Sequence, residues 1–465
     1  MKSWKTMLLF FLLASTWAVL FLVTGSKTPW QMFSPKERDA GLVVPLGEMA
    51  GRNYDRMGFD GGVVLYTPSD GGWMVGTANG ELRHLSREGS EKWSHSLGNG
   101  LIRALTLSED GKRVYAGEKS PDGFLYAMDV KSGDVLWKFR GFDVIGGEPD
   151  IRADPQAIHI STDHEGNVYA LFYRFTVMEN GQRGYVSRVV SFTRDGRERW
   201  RYPKEKPMDA WVNWGDVTPE GSRFAFGTAN YDKSKIENLE YNKNIYVLQG
   251  ETGELLHEVS IPKAEPFRTV PMRNGPSYSR DGRYLAAMTS DGRGFLFDRD
   301  GSLLWKRTLS EAKEIGGTWF FAAGRDAIPL ADGVLFDTIN TFNKDNWQMA
   351  APVIHPSSNS LFYFSLDGEF RWKYTAPGEI EAVSCAGGLA ALAVGRNVRN
   401  HDYEAHGAEL VSLKDGSRLV RYHTKGPLQN IAISDDGTHM AGIEVPAVTP
   451  EGSLLGAYRL HIWKT

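Results

Sequence analysis

The chain has 465 residues, 41% of them hydrophobic and 12% aromatic, with 51 glycines and a formal net charge of −4. That balance excludes a disordered chain, and the scattered lysines and arginines form no basic stripe to track a phosphate backbone, so nucleic acid is not an expected partner. A single cysteine, Cys385, excludes an intrachain disulfide framework and a cysteine-built zinc site.

Lys2 and Lys5 precede an uncharged apolar run from Met7 to Val23, followed by Thr24-Gly25-Ser26. As a helix at ~1.5 Å per residue, Met7 to Gly25 would be roughly 28 Å long, close to the ~30 Å hydrocarbon thickness and longer than a secretory signal core. We expect residues 1–25 to be a retained signal-anchor transmembrane helix. The lysines then stay on the cytoplasmic side, and everything after Ser26 lies outside. The implied localisation is single-pass in a cytoplasmic or plasma membrane, with the bulk of the chain periplasmic or extracellular. Cleavage at Val23-Thr24-Gly25 is the competing reading, and the residues alone leave it open. Residues 26–40, with two prolines and mixed charge, read as a linker.

The rest of the chain repeats. A glycine followed four positions later by tryptophan recurs at Gly89/Trp93, Gly133/Trp137, Gly196/Trp200, Gly301/Trp305 and Gly368/Trp372, and Gly253/His257 and Gly416/Val420 keep the spacing without the indole. The intervals fall within or above the roughly 40–50 residues of a four-stranded propeller blade. Within one interval, strands are expected from Ile102 to Leu107, Val114 to Gly117, Phe124 to Asp129 and Val135 to Phe139. They are joined by Ser108-Glu109-Asp110-Gly111 and Lys131-Ser132-Gly133, turns in which glycine supplies positive φ. The Ser-x-Asp-Gly turn returns at Ser279 and Ser434.

The last unit ends at Leu460-His461-Ile462-Trp463 without a fourth strand, and an open edge invites aggregation. Residues 41–46 are the expected cover, pairing with the last blade and closing the ring. The fold class is thus all-β, an eight-bladed propeller spanning residues 41–465, with seven blades as the runner-up and a membrane-anchor helix before it.

The segment from Gly123 through Leu125-Tyr126-Ala127-Met128-Asp129 to Gly133 and Trp137 resembles the repeat of pyrroloquinoline-quinone-type propellers. The resemblance covers residues 60–465 at the level of the repeat. It implies that Trp93, Trp137, Trp200, Trp305 and Trp372 dock neighbouring blades. The family contains quinone dehydrogenases, whose alcohol-oxidising members hold the cofactor and calcium beside two adjacent cysteines, and non-catalytic envelope scaffolds. With only Cys385, the chain is more similar to the scaffolds, and no cofactor is expected. A PQQ-dependent dehydrogenase with calcium is the alternative, and a ligand- or carbohydrate-binding sensor ectodomain the second alternative.

Blade parity sends the connections between strands one and two, and three and four, to one face, and these are uniformly short. The second face receives nearly all the long segments, and loops on a rigid scaffold carry function more often than the scaffold itself. The expected binding surface therefore comprises Trp211, Trp214, Tyr231, Arg268, Arg273, Trp319, Phe320 and Trp347, types that anchor protein interfaces. The bland reading of Trp211, Trp214 and Trp319 is that they begin innermost strands and pack between blades. His401, Asp402 and His406 are weak candidates for a metal ion, their spacing matching no specific motif. No phosphate loop or nucleophile elbow appears, so no catalytic residue is expected. The function expected from these readings is that of a membrane-anchored, extracytoplasmic protein-binding or scaffold module within a bacterial envelope complex.

Overall fold

The computed structural model describes residues 36–38, 41–49, 54–55, 58–59, 61–98, 100–149, 153–177, 183–229, 239–267, 270–344, 351, 353–395, 405–449 and 451–465. The apolar run Met7 to Val23 lies outside them, and among the described residues no helix is long and apolar enough to cross a membrane.

The chain is all-β and propeller-like. Four-stranded antiparallel meanders follow one another at 62–96, 101–140, 156–202, 212–259, 277–308, 318–375 and 380–423, and a last one at 428–464 takes its outer strand from the N-terminal side. In the second unit the strands are Leu101–Leu107, Arg113–Lys119, Phe124–Asp129 and Val135–Arg140.

Middle strands such as Gly72–Thr77 and Arg113–Lys119 are buried nearly end to end, because each unit is packed on both faces. Side chains alternate across a strand. Thus Val114 joins a core shared with the first unit, through Met74 and Leu82, while Tyr115 joins one shared with the third, through Ala157 and Val168. The alternation continues around the molecule: Phe224 faces back to Tyr169 and Ala225 forward to Leu285, and Ala390 faces back to Leu361 and Ala391 forward to Met440. The last core returns to the start, combining Ala441, Ile443 and Leu460 with Val64, Trp73 and Val75.

Hydrogen bonds tie the same seam. The Tyr458 hydroxyl donates to the Gly61 carbonyl at 2.7 Å and accepts from the Ala78 N–H at 2.7 Å, while the Val64 N–H donates to Asn430 Oδ1 at 2.9 Å. Leu42–Pro45 pairs antiparallel with Arg459–Lys464 as that unit's outer strand. Lys36–Arg38, inside the stretch read as a linker, forms a short strand parallel to Arg418–His423, in register Lys36↔Val420.

The repeated glycine and tryptophan meet across unit boundaries. Trp93, Trp137, Trp200, Trp305 and Trp372 each donate through Nε1, at 2.9 to 3.0 Å, to carbonyls of the following unit: Val130, Arg194, Gly250, Leu366 and Leu413. The glycine of that following turn lies against the same indole. A Cβ at Gly133 would stand 2.8 Å from Trp93, and one at Gly196 2.6 Å from Trp137. Val420 breaks the pattern where the chain does: the unit after it has no turn between third and fourth strands, so no glycine waits for an indole. At the other side of the seam, Gly89 rests on Leu42 and Val44 of the closing strand.

Candidate functional site

Every connection between first and second, or third and fourth, strands spans five residues or fewer. Three of these turns share one chemistry. Ser108, Ser279 and Ser434 each give a hydroxyl hydrogen bond to the aspartate two positions on, at 2.6 to 2.7 Å. The glycine that follows donates back to the serine carbonyl at 2.8 Å and sits at φ between 63° and 69°. This face is plain, polar and acid-rich. The opposite face carries the long connections 141–155, 203–211, 229–244, 260–276, 344–359, 395–406 and 445–458.

Exposed large apolar side chains among the described residues fall into two sets. One lies on outermost strands: Leu42, Val135, Leu136, Leu255, Leu303, Leu304, Phe370 and Leu419. The other, Phe142, Val177, Ile315, Ile354, Val448 and Leu454, lies wholly on the elaborated face, with Val177 61%, Ile354 68% and Leu454 65% exposed. No exposed large apolar residue belongs to a plain-face turn.

Trp211 occupies that elaborated face at the foot of a long hairpin formed by Val168–Val177 and Arg183–Phe192. Its indole stacks on Tyr185, with centroids 5.6 Å apart and planes at 14°, and approaches Tyr173 at 6.0 Å and Phe175 at 6.1 Å. The group is half-buried except for Tyr173, which is buried. Sequence reasoning missed its three partners. The signal was there in the two-residue spacing of Tyr173 and Phe175, which places both on one face of a strand running past its sheet.

Trp214 does not join this group. It lies at the meeting of three units, its ring 3.9 Å from that of His159 in the preceding inner strand and its Nε1 donating to Ser277 Oγ at 3.1 Å in the following one. Trp319 is half-buried in the inner strand Thr318–Pro329, whereas its neighbour Phe320 is 4% exposed and packs the interior. Arg273 is half-buried in the 260–276 connection. Tyr231, Arg268 and Trp347 lie outside the described residues.

His406 is buried, its Nδ1 within 3.1 Å of the Lys425 carbonyl, and His401 and Asp402 lie outside the described residues. Among those described, no group of three His, Cys, Asp or Glu side chains is placed to hold a metal ion. Cys385, in the inner strand Ile380–Ala386, has its thiol pushed up to about 12 by burial. The residues do not fit the paired-cysteine quinone site: that site needs two adjacent cysteines and the chain contains one.

Buried charge sits instead between neighbouring strands within a unit. Arg325 is 6% exposed and donates to Asp326 at 2.9 Å and to Asp337 at 2.6 Å, and Asp337 also accepts the Asp326 N–H at 2.6 Å. Glu444 accepts from Arg459 at 2.7 Å, from the Gly426 N–H at 2.8 Å and from the buried His461. With its donors satisfied in this way, such a pair holds register between strands rather than offering a reactive group.

A family model described as outer membrane protein assembly factor BamB matches residues 24–218. The crystal structure of BamB from Moraxella catarrhalis is similar over 91% of this chain and 100% of its own, at 13% identity and a TM-score of 0.51. The C-terminal WD40 domain of Sif2 is similar over 92% of this chain and 99% of its own, at 10% identity and a TM-score of 0.56. At these identities the likeness shows the fold. No curated protein matches the chain. Over residues 24–218 the chain thus matches the quinone-type repeat family that its Gly-to-Trp repeat resembles, through the model of an assembly factor rather than of a dehydrogenase.

Proposed function

We propose that this chain is a non-catalytic, extracytoplasmic scaffold: an eight-bladed propeller held to a membrane by residues 7–23, whose elaborated face docks a protein partner within an envelope complex. The observation that carries the reading is the one-sided distribution of exposed apolar side chains. Outside the outermost strands, all of them among the described residues lie on the elaborated face, which also carries the Trp211 stack. Exposed apolar side chains on one loop-bearing face are what a water-exposed protein interface presents. The count of eight is supported by the series of four-stranded units and by the core that joins last to first. The assembly-factor description of the matching family model supports the envelope role.

The test is cross-linking of the full-length protein in its native membrane, followed by identification of stoichiometric partners. A variant carrying Val177→Asp, Ile354→Asp and Leu454→Asp is expected to lose at least tenfold of the recovered partner. A plain-face control, Lys131→Asp, is expected to keep it. Recovery unchanged in the triple variant, or a quinone absorbance band in the purified protein, would overturn the reading.

A further inference from the structure

The N-terminal strands fix the direction in which the tether meets the propeller. Arg418–His423 begins at the plain-face turn 413–417 and ends at the elaborated-face connection 424–427. Lys36–Arg38 pairs with it in parallel, in register Lys36↔Val420, Glu37↔Arg421 and Arg38↔Tyr422. The backbone therefore arrives at Lys36 from the plain side. Leu42–Pro45 repeats the direction on the next unit, since it runs antiparallel to Arg459–Lys464, whose own end is pinned to the plain face. There the Thr465 N–H donates to the Thr438 carbonyl at 3.0 Å, and its hydroxyl to the Gly437 carbonyl at 2.6 Å.

From these directions we infer that the anchored protein hangs from its membrane by the plain face and offers the elaborated face, with Val177, Ile354 and Leu454, to a water-exposed protein domain standing off the bilayer. The inference rests on the proposed anchor at residues 7–23. Between that run and Lys36, residues 24–35 span at most about 40 Å when extended. For the elaborated face to meet the bilayer, the tether would have to double back along a six-residue strand, about 20 Å, and past the protruding loops, consuming most of its length. Hanging by the plain face requires no such return.

The two faces suit this arrangement. The plain face shows no exposed large apolar residue to insert into lipid, and its turns carry Glu109, Asp110, Asp195, Asp281, Asp367 and Asp436. An acidic face is not drawn onto an anionic surface, and a tether longer than the ~8 Å Debye length lets it stand clear. The apolar side chains of the far face are then separated from the headgroups by the height of the propeller. They are out of reach of transmembrane segments and of lipid, so the partner that fits them is a folded protein domain in the aqueous compartment.

The test uses the full-length protein in lipid nanodiscs whose headgroups carry an energy-transfer acceptor. Single donor labels go on introduced cysteines, Lys131→Cys and Asp195→Cys on the plain face, Val177→Cys and Leu454→Cys on the elaborated face. Cys385, which is half-buried, is replaced by serine in each labelled protein. At least twofold greater transfer from the plain-face labels is expected. Equal or greater transfer from the elaborated-face labels, with residues 1–25 retained by intact mass, overturns this inference alone. A mass showing those residues removed, with no protein in the nanodisc fraction, overturns the anchor and this inference with it.

Discussion

Gly253 lies on the indole of Trp200 from the unit before it: a Cβ at 253 would come within 2.6 Å of Trp200 Cδ2, and Trp200 Nε1 donates to the Gly250 carbonyl of the same turn at 2.9 Å. Turn and indole thus form one joint between units. Gly253 also holds φ at 73°, a conformation that any other residue adopts at a cost.

Gly253→Ala is therefore expected to destabilise the protein by about 1–3 kcal/mol, combining backbone strain with overpacking. Trp200→Phe, which shortens the ring and leaves the Gly250 carbonyl only the longer bond from the Tyr169 hydroxyl at 3.3 Å, is expected to cost a similar amount. Because the two residues touch, the double variant should cost less than the sum of the single ones. Denaturant midpoints of the four proteins check this; strict additivity would show that turn and indole act independently.

The seam offers a second joint. Tyr458 hydroxyl is at once donor to Gly61 and acceptor from Ala78, and the residue is 5% exposed. Tyr458→Phe removes both of these hydrogen bonds across the seam and is expected to cost about 1–3 kcal/mol. Faster amide exchange should appear at Ala78 and along Gly62–Thr67, while the second to sixth units keep their protection. Uniform acceleration over all units would mean that the ring opens only as a whole.

Much of this fold could be read in the residues. Strand Phe124–Asp129 has the bounds that alternation and the flanking turn predict, and the Ser-x-Asp-Gly turns fold through the bonds their chemistry offers. Both signals are local, which is why they survive in one dimension. The pairing of Gly133 with Trp93 was hidden, because a fixed spacing within a unit says nothing about which unit each residue touches. Phe320 and Trp319 are neighbours of one type, yet the pleat buries one and leaves the other half-exposed. The Trp211 stack depends on a hairpin that outruns its sheet, a length set by tertiary contacts rather than by any turn signal. Likewise, the parallel strand at Lys36–Arg38 carries no apolar alternation to announce it.

Cys385 should be chemically quiet. With its thiol pushed up to about 12 by burial, only a trace of thiolate exists at pH 8. A disulfide reagent is expected to react with the native protein about a hundredfold more slowly than with the unfolded chain, where one thiol should titrate fully. Rapid native reaction would show that the strand Ile380–Ala386 opens readily to solvent.

The last expectation concerns acid. His159 packs against Trp214 with ring centroids 3.9 Å apart, and burial holds its imidazole down at about 4, against 6.5 for the free side chain. The folded state therefore disfavours the protonated ring. Between those two values the unfolded chain binds more protons than the native one, so stability present above pH 6.5 is lost as pH falls towards 4, by up to about 3 kcal/mol. Asp216 on the adjacent inner strand acts with the opposite sign. Burial raises its carboxyl to about 6, so its native form holds a proton that the unfolded form releases, and the stability it contributes at low pH is lost as pH rises through 6. A wild-type profile alone would blend the two, so the comparison is with His159→Gln, a neutral side chain at every pH. Denaturant midpoints measured from pH 7.5 to 4.5 should fall more steeply for wild type than for the variant, and the two curves should converge or cross on the acid side. Parallel curves would mean that His159 protonates as readily in the folded ring as in the unfolded chain.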